Sequence, residues 1–239
     1  MTEMLFREDA YLREAPGVVS ALTDRGGIVL DKSIFYATSG GQEGDCGLLR
    51  VGERELTVAV TVKGEGNDIV LVPEDGTPLP SPGEDVVQIL DWDQRHRKMR
   101  IHTALHLLSV VIPLPVSGGA ITVEKGRLDF DMPNAPEDKE TLETAMNDLI
   151  AKDYALSESW ITDDELAANP GLVKTMSVMP PTGSGRVRLI RIGDANTQID
   201  LQPCGGTHVK STGEIGRVRI GKIEKKGRQN RRVNLFLED

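Results

Sequence analysis

The 239-residue sequence contains only two cysteines and four histidines, and aromatic residues make up 4% of it. Cys46 and Cys204 are too few for a disulfide framework, which predicts a reducing, cytoplasmic setting where a thiolate is free to bind metal. No stretch approaches the roughly 18 consecutive apolar residues of a membrane span. The first seven residues have an early acid and no long apolar core, so they do not read as a signal peptide. No membrane partner is expected. No G-x4-G-K-[ST] motif occurs, and Pro181 to Arg186 resembles a phosphate loop only superficially, so no ATP requirement is expected. Lys and Arg number 28 against 37 Asp and Glu, a net charge of −9. That balance argues against a general nucleic-acid coat protein, because phosphate affinity comes from basic groups.

The scarce ligand-type residues are concentrated. His102-Thr103-Ala104-Leu105-His106 places two imidazoles at i and i+4, and Cys204-Gly205-Gly206-Thr207-His208 supplies a thiol and an imidazole at the same spacing. Residues four apart lie on one face of a helix and can share an ion. Three nitrogens and one sulfur suit a tetrahedral site, so one Zn2+ per chain is expected on His102, His106, Cys204 and His208. The window is not that of a metalloprotease, whose general-base Glu position is taken here by Thr103. An activated ester, with its better leaving group, is an easier target than a peptide. Zinc could lower the pKa of a bound water or orient the substrate, whereas four protein ligands closing a tetrahedron would make the metal structural.

The acidic average hides two basic clusters. Lys210 to Arg232 holds nine Lys/Arg and two Glu, and Arg95-His96-Arg97-Lys98-Met99-Arg100 precedes the histidine pair. Both flank the proposed ligands, which favours polyanion binding over a merely solvated face. The candidate contacts are Arg95, Arg97, Lys98, Arg100, Lys222, Lys225, Lys226, Arg228, Arg231 and Arg232.

Two domains are expected in an α+β chain. Residues 1–92 carry short β-branched runs at Val58 to Val62, Ile69 to Val72 and Val86 to Leu90, separated by turn residues, which suggests a small β-barrel. Residues 93–239 mix helices and antiparallel-looking strands, which suggests an α+β sandwich holding the zinc site. Ile101, Leu105, Leu108 and Ile112 form one helical stripe that Pro113 and Pro115 end. A second helix is expected over Glu137 to Lys152, starting near Asn134 and Pro136. Strands are expected at Arg127 to Asp131, Leu156 to Ile161, Arg186 to Ile192, Val218 to Ile223 and Arg232 to Leu237. Pro180 to Gly185 reads as a loop.

Tyr36 to Asp45 is a glycine-rich segment whose adjacent Gly40 and Gly41 permit positive φ and close approach to a ligand. Taken with the two ligand windows, this segment resembles the alanyl-tRNA editing domain. The Ser39 to Asp45 run is similar to that family's glycine motif, and Asp91-Trp92-Asp93 with Arg95 and Met99, Arg127 to Phe130, and Lys222 to Gly227 with Arg231 to Val233 also match. The likeness covers nearly the whole chain in order. The chain is too short for an activation domain and tRNA-recognition helices as well, so it resembles the free-standing AlaX proteins of medium length. One departure is Cys46, where Thr is common. The resemblance implies trans hydrolysis of the ester of tRNA(Ala) mischarged with serine, or with glycine. It also implies zinc on the four residues named, tRNA contacts at the basic residues, and Gly40, Gly41 and Gln42 in the amino-acid pocket. Thr38, Gln42 and Thr103 are the candidates for reading the serine hydroxyl. The alternatives are a zinc-stabilised RNA-binding module without catalysis, and another zinc-dependent ester or amide hydrolase.

Overall fold

The computed structural model of the chain describes residues 1–134, 138–175 and 185–238. Pro136 and residues 180–184 of the expected loop lie outside these. The chain divides into two compact units, Met1–Arg97 and Lys98–Asp239.

The first unit contains Glu3–Met4 (β1), Glu14–Leu22 (β2), Ile28–Leu30 (β3), Lys32–Ser33 (β4), Gly47–Val51 (β5), Arg54–Lys63 (β6), Ile69–Pro73 (β7) and Asp85–Leu90 (β8). Six of them close into a barrel in the order β2-β3-β7-β6-β5-β8, and β1 pairs in parallel with β4. Closure removes the unpaired edges that an open sheet would present. In β8 the side chains of Val86, Gln88 and Leu90 are buried, alternating with more exposed neighbours as a one-sided strand requires. Val19, Ile28, Leu30, Leu49, Leu56, Val58 and Leu71 fill the same core.

The first unit also buries a charge. Arg95 is 0% exposed. Its Nε and Nη2 donate to Asp45 Oδ2 at 2.9 and 2.5 Å, its Nη1 to Ala10 O at 2.8 Å, and its Nη2 to Ile34 O at 2.5 Å. The backbone N–H of Tyr36 donates to the same carboxylate at 2.7 Å. The expectation that Arg95 contacts RNA is therefore corrected: its fork is spent on Asp45 and two carbonyls within the first unit.

The helix Trp92–Val111 (α1) begins on Asp91, whose Oδ1 accepts from the Gln94 N–H at 3.1 Å as an N-cap does. The divide between the units falls within α1. The second unit continues with Val116–Ile121 (β9), Gly126–Asp131 (β10), Lys139–Ala151 (α2), Leu156–Thr162 (β11), Asp163–Ala168 (α3), Arg186–Gly193 (β12), Gln198–Pro203 (β13), Val218–Lys225 (β14) and Asn230–Leu237 (β15). These strands form two antiparallel sheets, β14-β15-β10-β9 and β11-β12-β13.

Helix α2 starts at Lys139 rather than at Glu137, because the Asp138 carboxylate caps the N–H groups of Glu140 and Thr141. It docks on β14 through Asn147, which both donates to and accepts from the Val218 backbone. Strand β9 was not expected. Its Gly118 and Gly119, poor strand formers, pair with Asp129 and Leu128 of β10.

Candidate metal centre

Helix α1 supplies the first half of the site. Its stripe of Ile101, Leu105, Leu108 and Ile112 is buried, and so are His102, Thr103 and His106 between those positions. The two imidazoles stand one turn apart, with ring centroids 5.3 Å from each other. The loop leaving β13 supplies the second half. His208 brings its ring to 4.2 Å from that of His102 and 4.7 Å from that of His106. Cys204 Sγ lies 3.4 Å from His102 Nε2 and 3.3 Å from His208 Nε2. One ligand atom from each of the four residues falls within 4.8 Å of all the others, so the group could hold a metal ion.

The loop is gripped by residues that the sequence did not single out. The Cys204 N–H donates to Arg188 O at 3.1 Å. The Arg188 guanidinium, buried between strands, donates from Nη1 to Gly206 O at 2.7 Å and to Cys204 O at 3.3 Å. Its other edge forms a two-point pair with Glu158, with Nε to Oε2 at 2.8 Å and Nη2 to Oε1. The Gly206 N–H points at Cys204 Sγ, 3.5 Å away.

Two further contacts fix the ring orientations. Thr103 Oγ1 lies 3.1 Å from His208 Nδ1 and donates to Met99 O at 3.0 Å. With its proton given to Met99, the hydroxyl accepts from Nδ1–H, which leaves His208 Nε2 as the ligand atom. His106 Nδ1 lies 2.9 Å from Asp200 Oδ2, and the opposite carboxylate oxygen takes Lys174 Nζ at 2.5 Å. Gln202 Nε2 donates to Asp200 Oδ2 at 2.7 Å. A carboxylate behind a ligating imidazole orients it and raises its basicity.

The electrostatics match a cation site. Burial opposes ionisation of Cys204, yet the charges and hydrogen bonds of the surrounding histidines hold its thiol well below the ordinary value. Burial, with the charge of His102, keeps His208 well below its ordinary value. Burial also opposes a charged His106, but Asp200 and Cys204 outweigh it and push that ring up to about 9. Burial would raise Asp200, but His106 and Lys174 hold it well below the usual carboxylate range. A metal must displace the His106 proton near neutrality, so affinity falls as pH is lowered.

Comparison with known proteins places this cluster in a family. The second additional domain of threonyl and alanyl tRNA synthetases matches residues 187–234, which include Cys204 and His208. The alanine–tRNA ligase of Pyrobaculum aerophilum is 33% identical over 233 residues, covering 94% of this chain and 25% of the ligase. The alanyl-tRNA editing protein AlaX-M of Saccharolobus solfataricus is 34% identical over 98% of each chain. The AlaX-M protein of Methanosarcina acetivorans is 33% identical over 249 residues, end to end in both. The chain belongs to the AlaX family of alanyl-tRNA editing proteins.

The other expected site residues fall as follows. Gly40 and Gly41 have φ of 56° and 84°, and Ser39 and Gln42 exchange both backbone hydrogen bonds across them. This is a two-residue hairpin of the type that needs positive φ at both centres, so the glycines are required by the turn itself. Gln42 is buried. The Thr38 hydroxyl donates to Thr61 O at 3.2 Å and accepts from the Gly44 N–H at 2.9 Å. Thr103 is engaged with His208.

Among the basic residues, Lys222, Lys225, Lys226 and Arg228 are exposed, while Arg97 and Arg100 are half-buried. Lys98 and Arg231 are buried, and Arg231 donates to the carbonyls of Gly227, Asn230 and Pro133. Arg232 pairs with Asp129 at 2.8 Å. Lys98, Arg231 and Arg232 therefore do not present free cationic faces. No described helix is long and apolar enough to cross a membrane.

Proposed function

We propose that this chain is a trans-editing deacylase. In this reading it hydrolyses the ester joining serine, or glycine, to tRNA(Ala), with one Zn2+ on His102, His106, Cys204 and His208. The observation that carries the reading is the buried four-donor cluster, built from both ligand windows, in a chain that aligns end to end with AlaX-M. Zn–N bonds of about 2.0–2.1 Å and Zn–S bonds of about 2.3 Å imply tetrahedral edges of about 3.3–3.6 Å. The Cys204–His102 and Cys204–His208 separations of 3.4 and 3.3 Å come within about 0.3 Å of the S–N edges of such a tetrahedron, and the four donor atoms lie within 4.8 Å of one another.

Zinc supplies Lewis acidity for the ester carbonyl or a more acidic water. The chain's own residues present and orient the donors: Thr103 sets the His208 ring, Asp200 sets the His106 ring, and Arg188 holds the loop between Cys204 and His208. The exposed Lys222, Lys225, Lys226 and Arg228 are proposed to meet RNA phosphates. A second reading, a zinc-stabilised RNA module, draws on the four protein donors, which can close a tetrahedron without a position for water.

Serine exceeds alanine by one hydroxyl, which an apolar pocket rejects weakly, by about 10²-fold in a comparable synthetase case. A site that hydrogen-bonds the hydroxyl leaves polar groups unpaired when alanine enters, at a cost of about 1–3 kcal/mol. Ser-tRNA(Ala) is therefore expected to be deacylated roughly 5- to 150-fold faster than Ala-tRNA(Ala). Gln42→Ala is expected to narrow that ratio. Release of labelled amino acid from each charged tRNA measures it. Equal rates would leave a nonspecific esterase, and no release from either would favour the RNA module.

A further inference from the structure

We propose that Trp160, together with Arg186, is a stacking platform for the unpaired base at the 3′ end of the RNA. The inference rests on the reading of the chain as acting on an aminoacyl ester of RNA, and it names the part of that substrate which the β11-β12-β13 sheet receives.

Trp160 is 41% exposed, one of three large apolar side chains in that state among the described residues; the others are Met1 at the terminus and Leu114 between two prolines. A tryptophan in a strand ordinarily buries its ring. This one is carried by β11, where Ser157, Glu158, Ser159 and Trp160 are all exposed.

The register decides which way the indole faces. Trp160 pairs directly with Arg188 of β12, and the Arg188 carbonyl accepts the Cys204 N–H. Trp160, Arg188 and Cys204 thus form one row across the sheet, two strand spacings long, about 10 Å. Residues directly opposite in a sheet share a face. Glu158, two residues earlier on that face, meets the Arg188 guanidinium, whose other edge reaches Gly206 O. The next rows on the same face pair Ile190 with Gln202 and Ile192 with Asp200, the two residues that touch His106 or its partner. The exposed indole therefore stands on the face that carries the metal loop, within the reach of one nucleotide.

The surroundings favour a nucleotide over an apolar partner. The Arg186 guanidinium lies 5.9 Å from the Trp160 ring centroid. Glu158, the acidic neighbour on this face, is bound to Arg188. An indole offers a π-face that stacks on any base, and an adjacent cation adds to that attraction while complementing phosphate. In a charged tRNA the base of the terminal nucleoside and the ester to be cut belong to one nucleotide, so a platform one nucleotide from the ligands holds the ester at the site.

The test uses the full-length zinc-loaded protein and two uncharged acceptor-stem hairpins, one with its unpaired 3′ end complete and one lacking the terminal nucleotide. The wild type is expected to prefer the complete hairpin. Trp160→Ala should weaken binding of the complete hairpin by roughly 5- to 150-fold and bring it to the level of the truncated one. Trp160→Phe should retain most of the preference, with zinc content unchanged in both variants. Indole emission should be quenched by the complete hairpin in the wild type and not in Trp160→Phe. Unchanged affinity and preference in Trp160→Ala would overturn the platform while leaving the deacylase reading intact. Quenching that persists in Trp160→Phe would assign the contact to Trp92 and overturn it equally. Failure of the wild type to bind either hairpin would overturn both readings.

Discussion

Cys204→Ala is expected to abolish stoichiometric zinc binding and to lower Ser-tRNA(Ala) deacylation by more than about 100-fold, since even the loss of a group behind a ligand costs about 10- to 100-fold. Cys204 is the sole sulfur of the cluster; its Sγ lies 3.4 and 3.3 Å from His102 and His208 Nε2 and hydrogen-bonds His106 as well. Removing it leaves three neutral nitrogens and no anionic ligand, with only the Asp200 carboxylate behind His106 to offset a divalent charge in a buried site. Asp200→Asn provides the graded comparison. It keeps the shape of the side chain but removes the charge that pairs with His106 and Lys174. The expected result is zinc affinity weaker by about 10- to 100-fold with the metal still bound at high concentration. Elemental analysis and chelator competition measure both variants. Full zinc occupancy in Cys204→Ala would remove Cys204 from the ligand set.

Asp45→Ala is expected to destabilise the barrel unit by about 3–5 kcal/mol, because it strands the Arg95 guanidinium in a dry interior. The side chains of the pair are 0% and 1% exposed, so solvent cannot replace the lost partner. The Tyr36 N–H loses its acceptor at the same time. Denaturant unfolding of the wild type and variant gives the difference. A loss below about 1 kcal/mol would show that the buried charge is satisfied by the carbonyls of Ala10 and Ile34 alone.

The Arg95 result shows where sequence reading stopped. Arg95, Arg97, Lys98 and Arg100 look like one basic patch in the linear chain, but a helix turns 100° per residue and separates them. Arg95 and Lys98, three apart, share a buried side with Met99 and His102, while Arg97 and Arg100 stay half-buried. The ligand windows were legible because each is five residues long and its spacing is set by local geometry.

The support around the ligands was not legible, because its members come from distant strands. Asp200 and Gln202 look like ordinary alternation in β13, and Lys174 carries no local signature at all. A signal did exist: Asp200 and Gln202 alternate with Ile199 and Leu201 just before Cys204, which puts both polar side chains on one face. Strand β9 was hidden by Gly118 and Gly119, whose turn-like chemistry was overridden by pairing with β10. The β6, β7 and β8 runs were readable because each is a short β-branched run between turn residues, and α1 because its apolar residues recur at helical spacing until Pro113.

The central claim is that the four-residue cluster carries out metal-dependent ester hydrolysis. Its most direct test is single-turnover deacylation of Ser-tRNA(Ala) by protein stripped with a chelator, before and after stepwise addition of Zn2+. The account predicts negligible hydrolysis by the stripped protein and recovery that saturates at one zinc per chain. Full activity in verified zinc-free protein would contradict it.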